Sequence, residues 1–591
     1  MPEAWVRAAL LIRGNTLAEG HSGVRPVLVS NLVSLLRNNA LPTIPLRGSI
    51  SASGDLSPLS YVAGALQGKS CINVWIGERK NGGRRLVTAD AALSELSISP
   101  LKLGPKEGLA IVNGTAVSTG VGVLAMHDAH CLAVLSQILT AMSVEVLHGT
   151  IESFDPFFAA VRPHPGQVEA SHNIHCFLTG SSLLHFKEDI TETSLRQDRY
   201  SVRTAAQWIG PQLENLLLAH KQVTIECNST TDNPLIDTAS GRVLSGGNFQ
   251  AMAITSAMEK TRASVQVIGR MLFAQCTELI NPALSNGLPP NLTADEPSQS
   301  FLMKGVDVMM ASLQSELGFL ANPVGNHVQT AEMGNQSLNS LALISARYTQ
   351  VALDVLSQMA AAHLFAACQA LDLRAMHIRF LTNLKPAFQT CAFAALQALF
   401  TTAEQEKLGR LQGHLWSQLQ KELDNTTKLD SAQRIPLVIQ TLQLTILAAL
   451  SSSATEGNHV MPALQDWTRR CSALTLETLH ASRDAYSAHP DATALLGPAS
   501  SRMYTFVRHE LKVPFLRTRL PNPRPANKVD LCNNREQSDS EESGAYATET
   551  VGSFITAIYI AIRNGALYVP VMECLRETRA AEGPNGVANG F

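Results

Sequence analysis

Between about Asn335 and Leu371 the chain carries neither glycine nor proline, and that stretch constrains the fold more than any other. Within it Leu341, Ile344, Tyr348, Val351, Val355 and Met359 recur at three- or four-residue spacing, one apolar face along a helix. A helix running through all of it exceeds the ordinary globular length, so the stretch predicts a helical bundle. An apolar face sustained over that length also calls for cover from neighbouring chains. Composition agrees: 45% of the 591 residues are hydrophobic, enough for a large core, while aromatics are only 5%. Alanine and leucine dominate, which favours helix over sheet.

The remaining organisation follows from changes in texture. Ala8, Leu11 and Ile12 already recur at helical spacing near the start. From about Lys69 to Pro105 the chain is mixed and polar, with a β-like run Ile72–Ile76 and a Lys80–Arg84 turn that together predict a small hairpin. From about Asp372 to Pro498, shorter helical patterns alternate with polar breaks at Asp424–Thr427 and Ser451–Gly457, the texture of an inserted helical subdomain. Pro521–Pro525 and Ser538–Ser543 read as loop, the second acidic and flexible, and an amphipathic helix around Ile555–Asn564 closes the chain. The expected division is 1–240, 241–371 for the long-helix bundle, 372–500 for the inserted subdomain, and 501–591 for a helical segment returning to the core.

Several function classes are excluded. A net charge of −3 with no basic face gives no electrostatic support for a nucleic-acid partner. Ten cysteines without CxxC pairs or metal-ligand spacing read as reduced thiols of an intracellular protein, and no metal site is expected. The opening Met1-Pro-Glu-Ala-Trp-Val-Arg has no signal-peptide character, and no run of eighteen uninterrupted apolar residues appears. The expectation is a soluble, cytoplasmic protein with no membrane partner. Gly120-Val-Gly-Val-Leu-Ala125 fits a dinucleotide fingerprint by letter, but no strand leads into it, so that reading is discarded.

Chemistry concentrates in five blocks. The first is Gly48-Ser-Ile-Ser-Ala-Ser-Gly-Asp-Leu-Ser-Pro-Leu-Ser-Tyr61, centred on Ala52-Ser53-Gly54. Without a side-chain barrier the Gly54 nitrogen can approach the Ala52 carbonyl carbon. Ring closure with loss of water, the Ser53 hydroxyl included, would give an electrophile that ordinary side chains do not supply. On residues alone, Asp55 and Ser57-Pro58 also make a good helix start. In Lys106–Thr115, Leu109 and Asn113 lie four apart, on one side of a helix, though Asn113 beside Gly114 is equally a cap. In Arg196–Arg203, Gln197, Tyr200 and Arg203 form a polar row at three-residue spacing, and the planar fork of Arg203 suits a carboxylate. In Thr231–Asp237, followed by Gly246-Gly-Asn-Phe249, Asn233 is held extended by Pro234. In Gln329–Gln336, Glu332 and Gln336 stand four apart at the start of the long helix, where a carboxylate also meets the positive helix end.

In this order the blocks resemble the aromatic amino acid ammonia-lyases, and among them the eukaryotic, fungal-looking phenylalanine ammonia-lyases. His164-Pro-Gly-Gln167 matches a further family string with no chemistry assigned. The resemblance implies a mainly α fold, a long-helix bundle of the fumarase/aspartase-like type with an inserted helical shielding subdomain. It implies that Ala52-Ser53-Gly54 form 4-methylidene-imidazol-5-one (MIO) autocatalytically, with no external cofactor. It further implies that Tyr200 assists proton movement beside that group, that Asn113 and Gln336 contact it, and that Leu109 and Phe249 line the ring pocket and reaction centre. Arg203 would clamp the substrate carboxylate within the Gln197 block, with Asn233 near the amine or carboxylate end and Glu332 near the amine. The implied activity is elimination of ammonia from L-phenylalanine to trans-cinnamate by a homotetramer whose sites each combine three chains. Alternatives are a tyrosine ammonia-lyase, an aromatic 2,3-aminomutase, or an inactive scaffold subunit. The last arises because the family's essential Tyr loop, and the residue separating tyrosine from phenylalanine users, lie in a stretch that precedes the position of Met1.

Overall fold

The long helix runs from Ala342 to Leu396, later in both its start and its end than the sequence predicts. Leu341, in a left-handed conformation at φ +50°, delays the start, so Asn335–Ser340 are not helical. The helix continues through Pro386 because Leu384, Phe388, Ala392 and Leu396 beyond Leu371 are all buried, and packing overrides the proline. In the computed structural model the described residues are 1–51, 55–78, 83–185, 197–400, 405–450, 460–517 and 549–581. Ala52–Gly54, Ser451–Gly457, Pro521–Pro525 and Ser538–Ser543 lie outside them.

Every residue from Met359 to Met376 is buried, so this part of the helix is enclosed on all sides. The cover comes from the same chain: the helices Ala116–Val146, Met252–Ile280, Lys304–Leu320 and Val551–Arg563 all pack on it. That corrects the expectation that the stripe as a whole needs other chains. Of its six residues only Tyr348 and Val351 are exposed. A second core begins at Phe380, where the far end of the long helix packs with Gln405–Asn425, Ser431–Leu450 and Val460–Ala488 around Trp467, Leu442 and Leu419. Residue 372 therefore falls inside an unbroken helix that passes from one core to the other. At that junction buried Asp372 accepts from the hydroxyls of Tyr486 (2.8 Å) and Tyr504 (2.5 Å) and from Arg508 Nη2 (2.6 Å), a fully partnered buried charge.

Strands are few. β1 (Leu41–Pro42), β2 (Asn73–Ile76) and β3 (Arg85–Thr88) form an antiparallel sheet in that order, with Val74 opposite Val87. The β2–β3 pair is the expected hairpin, the centre of its turn lying outside the described residues. β4 (Leu235–Asp237) and β5 (Arg242–Leu244) make a second antiparallel pair. Gly120 lies inside the Ala116–Val146 helix, where a Cβ would sit 2.8 Å from the backbone nitrogen of Ala9. The apparent fingerprint is thus a close helix crossing with no strand before it. Gly166 of the His164–Gln167 string has the same use, since a Cβ there would lie 2.0 Å from the Gly210 carbonyl oxygen. The Val551–Arg563 helix does not close the chain; Tyr568–Ala581 follows it. Glu107–Val146, Ala342–Leu396 and Ser431–Leu450 are long and apolar enough to cross a membrane, yet the apolar windows of the first two are 78% and 83% buried inside the protein.

Candidate active site

The flanks of Ala52-Ser53-Gly54 are fastened to one another. Asp55 Oδ2 accepts from the backbone N–H groups of Ile50 (2.7 Å) and Ser51 (2.9 Å) and from the Ser49 hydroxyl. One carboxylate oxygen thus joins the chain entering the tripeptide to the chain leaving it. Ser51 holds a left-handed conformation, φ +50°, which serine adopts only when its surroundings impose it. Those surroundings are two helix starts. Ser51 Oγ accepts from the Ser118 N–H (3.1 Å) in the first turn of Ala116–Val146, and the Ile50 carbonyl accepts from the Leu343 N–H (3.2 Å) in the first turn of the long helix. Both helices therefore direct their positive ends at this loop.

Asn113 and Asn233 meet beside the same helix start. The Glu107–Val112 helix ends before Asn113, whose extended backbone makes it the C-cap; Leu109 is exposed while Asn113 is buried. The two do not share a helix face, a correction that follows from Gly114 breaking the helix. Asn113 Nδ2 donates to the Asn233 carbonyl (3.4 Å), and Asn233 Oδ1 accepts from the Gly246 N–H (2.8 Å), so residues of two motif blocks converge. Phe249 lies half-buried just beyond.

Below them is a buried layer that sequence reasoning missed. Asp232, with a fully buried carboxylate, accepts from the Asn233 N–H (2.6 Å) and pairs with Lys106 Nζ (2.6 Å). Fully buried Arg13 donates to the Ala110 carbonyl; burial holds its guanidinium down to about 10, with Asp232 opposing. A Cβ on Gly114 would stand 2.5 Å from both Arg13 Nη1 and the Thr231 carbonyl oxygen. Thr115 Oγ1 donates to Glu226 (2.6 Å), whose carboxyl is raised by burial. Lys106 and Asp232 stood inside the quoted blocks, but nothing in their spacing shows that they pair across 126 residues.

The other two blocks stand apart. Gln197 accepts a hydrogen bond from Arg203 Nη1, and the Arg203 guanidinium sits 5.1 Å over the Tyr200 ring, so all three side chains cluster as their spacing predicts. Tyr200 is 74% exposed on this short Tyr200–Arg203 helix. Glu332 and Gln336 are not on the long helix. They belong to a tight turn in which Ala331 and Gln336 exchange N–H···O=C bonds of 3.1 Å, with Glu332 and Met333 both left-handed. Gln336 is buried with Nε2 unpartnered among the described residues, whereas Glu332 is exposed and accepts from Asn335 (2.8 Å). Among the described residues no hydrogen bond or ion pair joins the Asn113–Asn233 group, the Tyr200–Arg203 group and the Glu332–Gln336 turn. No group of three or more metal-ligating side chains occurs among them either.

The chain is mainly helical, with Asp55 tying Ser49, Ile50 and Ser51, with Ile50 and Ser51 bonded to two helix starts, and with Asn113 bonded to Asn233. Residues 1–395 match the aromatic amino acid lyase family, and the chain belongs to it. A phenylalanine ammonia-lyase of Aspergillus hancockii is 42% identical over 98% of this chain and 81% of its own length. A phenylalanine aminomutase of Talaromyces islandicus, forming L-β-phenylalanine, is also 42% identical, over 99% of this chain and 80% of its own. The crystal structure of phenylalanine ammonia-lyase from Rhodosporidium toruloides superimposes with a TM-score of 0.86 at 38% identity, covering 97% of this chain and 83% of that one. Histidine ammonia-lyase from Trypanosoma cruzi gives 0.57 at 25% identity, covering 81% of each chain.

Proposed function

We propose that this chain eliminates ammonia from L-phenylalanine to give trans-cinnamate, using an MIO group made from Ala52, Ser53 and Gly54. The observation that carries the reading is the Asp55 tie. Cyclising a tripeptide requires its ends to be held together, and Asp55 bonded to Ser49, Ile50 and Ser51 holds the flanks in that way. The group supplies an electrophile when formed, and the positive ends of two helices at the loop favour the electron density it would draw in. Asn113 and Asn233 are held to one another, with Asp232 and Lys106 fixing Asn233, and their amides are suited to hydrogen-bond a polar group of the substrate or the electrophile. Arg203, forked and stacked on Tyr200, is suited to a substrate carboxylate.

Intact-mass and peptide analysis tests the electrophile. Loss of two waters, roughly 36 Da, is expected from the peptide spanning Ala52–Gly54, and Ser53→Ala should abolish both that loss and activity. An unmodified Ser53 in well-folded protein would sink the reading. A second reading rests on a relative of equal identity being an aminomutase. Chiral chromatography of products separates the two: cinnamate and ammonia support the lyase, accumulation of a β-amino acid the mutase.

A further inference from the structure

The second core brings two cysteine sulfurs into contact. Cys471 Sγ lies 3.8 Å from Cys391 Sγ although 80 residues separate the two in the chain, and both are free thiols. Helical spacing explains how they meet. In the Val460–Ala488 helix Leu464, Trp467, Cys471, Thr475 and Leu479 recur at three- or four-residue intervals and are all buried. On the long helix Leu384, Phe388, Ala392 and Leu396 turn toward the same core, and half-buried Cys391 stands at the margin of that stripe. One thiol is therefore inside the core and the other at its edge.

A cysteine buried singly in a core is ordinarily a small apolar filler with no chemistry of its own. Two sulfurs in contact are a different case. A disulfide holds them about 2.05 Å apart, so roughly 1.8 Å of approach separates this pair from a bond. The two thiols are also unequal. Burial, with Cys391 beside it, pushes the Cys471 thiol up, so Cys471 is protonated and does not open the reaction. Cys391 is the one nearer to solvent and to a small oxidant.

We propose that Cys391 and Cys471 are a reversible disulfide site, closed by hydrogen peroxide, that fastens the far end of the long helix to the Val460–Ala488 helix. The Cys391 thiol takes one oxygen from peroxide, giving a sulfenic acid and one water. The Cys471 sulfur then displaces the hydroxyl from the Cys391 sulfur, forming the S–S bond and releasing a second water. Two thiols lose two electrons and two protons in all, and one peroxide takes them up as two waters. The chain between the cysteines carries the helices Gln405–Asn425 and Ser431–Leu450, so the bond closes a loop through the second core. Closing so long a loop stabilises the fold chiefly by restricting the unfolded chain. The candidate active site meets the long helix at Leu343, about 70 Å from Cys391 at 1.5 Å of rise per residue. This assignment is independent of the reaction catalysed there.

Peroxide treatment of the full chain tests it, followed by capture of remaining thiols with N-ethylmaleimide and peptide mapping without reductant. A linked Cys391–Cys471 peptide pair is expected, lighter by two hydrogens (about 2 Da) than the two thiol peptides together. It should form at a dose that oxidises exposed Cys71, and dithiothreitol should restore both thiols. The thermal unfolding midpoint should rise by about 5 °C on oxidation and fall back on reduction. Methionine sulfoxide, the other common product, needs its own reductase, so reversal by dithiothreitol assigns the shift to the bond. Cys391→Ala and Cys471→Ala each remove the pair and should each abolish the reversible shift; if one variant does not fold, the other gives the reading. Two intact thiols at that dose, a sulfinic acid on Cys391 in place of the link, or an equal reversible shift in a folded variant would overturn the proposal.

Discussion

At the scale of single residues, Arg203 separates a site from a solvated surface. Its guanidinium bonds Gln197 and lies over the Tyr200 ring, yet among the described residues no hydrogen bond or ion pair joins this cluster to the rest of the candidate site. Arg203→Lys keeps the charge and loses the two-pronged fork, so a substrate carboxylate would be held less well and at a poorer angle. A fall of about 10²-fold in kcat/KM is expected, with the unfolding midpoint little changed because Gln197 and Tyr200 are exposed and Arg203 is only half-buried. A near-wild-type value would show that Arg203 merely faces water. The motif blocks made Arg203, Tyr200, Asn113 and Asn233 legible as letters at fixed spacing. What they hid was support. Asp55 works by closing its own loop, Asp232 by reaching Lys106 far along the chain, and Arg13 by filling a space that exists only once Gly114 and Thr231 have met. None of these leaves a periodicity or local spacing to read.

At the scale of elements, the long helix shows which signals carry and which mislead. Absence of glycine and proline correctly announced an exceptional helix, but its bounds were set elsewhere: at the start by left-handed Leu341, at the end by burial in the second core. Glu332 and Gln336 fell off it for the same reason. Joints between helices are equally invisible to periodicity, and Glu145 is the clearest case. Near the end of Ala116–Val146 it accepts the Gly497 N–H (2.6 Å) ahead of the Pro498–Thr505 helix, and burial pushes its carboxyl up to about 7. The folded chain therefore holds this proton more tightly than the unfolded chain. The stability it contributes is complete below the ordinary carboxylate value of 4.5 and is lost as pH rises through 7. Glu145→Gln keeps an oxygen for Gly497 and cannot ionise. Relative to wild type the variant should gain about 3 kcal/mol at pH 8 and close to nothing at pH 4, read by denaturant unfolding. Parallel pH profiles for the two proteins would show that Glu145 remains ionised in the fold.

At the scale of the whole molecule, the question is where the separated parts of the site meet. The apolar stripe of the long helix is mostly covered within the chain, so its length alone does not demand partners. The surface gives the stronger reason. Phe319 on the Lys304–Leu320 helix is 76% exposed, Leu338 is 80% exposed, and Met333 in the Glu332–Gln336 turn and Phe301 just before that helix also stand out as large apolar groups. Tyr200 is similarly open. We propose that copies of this chain cover these surfaces in a homotetramer, and that the Tyr200–Arg203 segment and the Glu332–Gln336 turn reach an Ala52–Gly54 loop on a different subunit. Complementation tests this directly. Ser53→Ala removes the electrophile and Arg203→Ala the carboxylate clamp, so each homotetramer should be inactive. Co-expressed with different affinity tags and purified through both, mixed tetramers contain some sites where an intact Ser53 loop from one subunit meets an intact Arg203 from another. A fraction of wild-type activity should return in those tetramers and not when the two purified homotetramers are combined without exchange. A verified mixed tetramer that stays inactive would show that each site is built from one chain, and that the exposed Tyr200–Arg203 cluster serves another purpose.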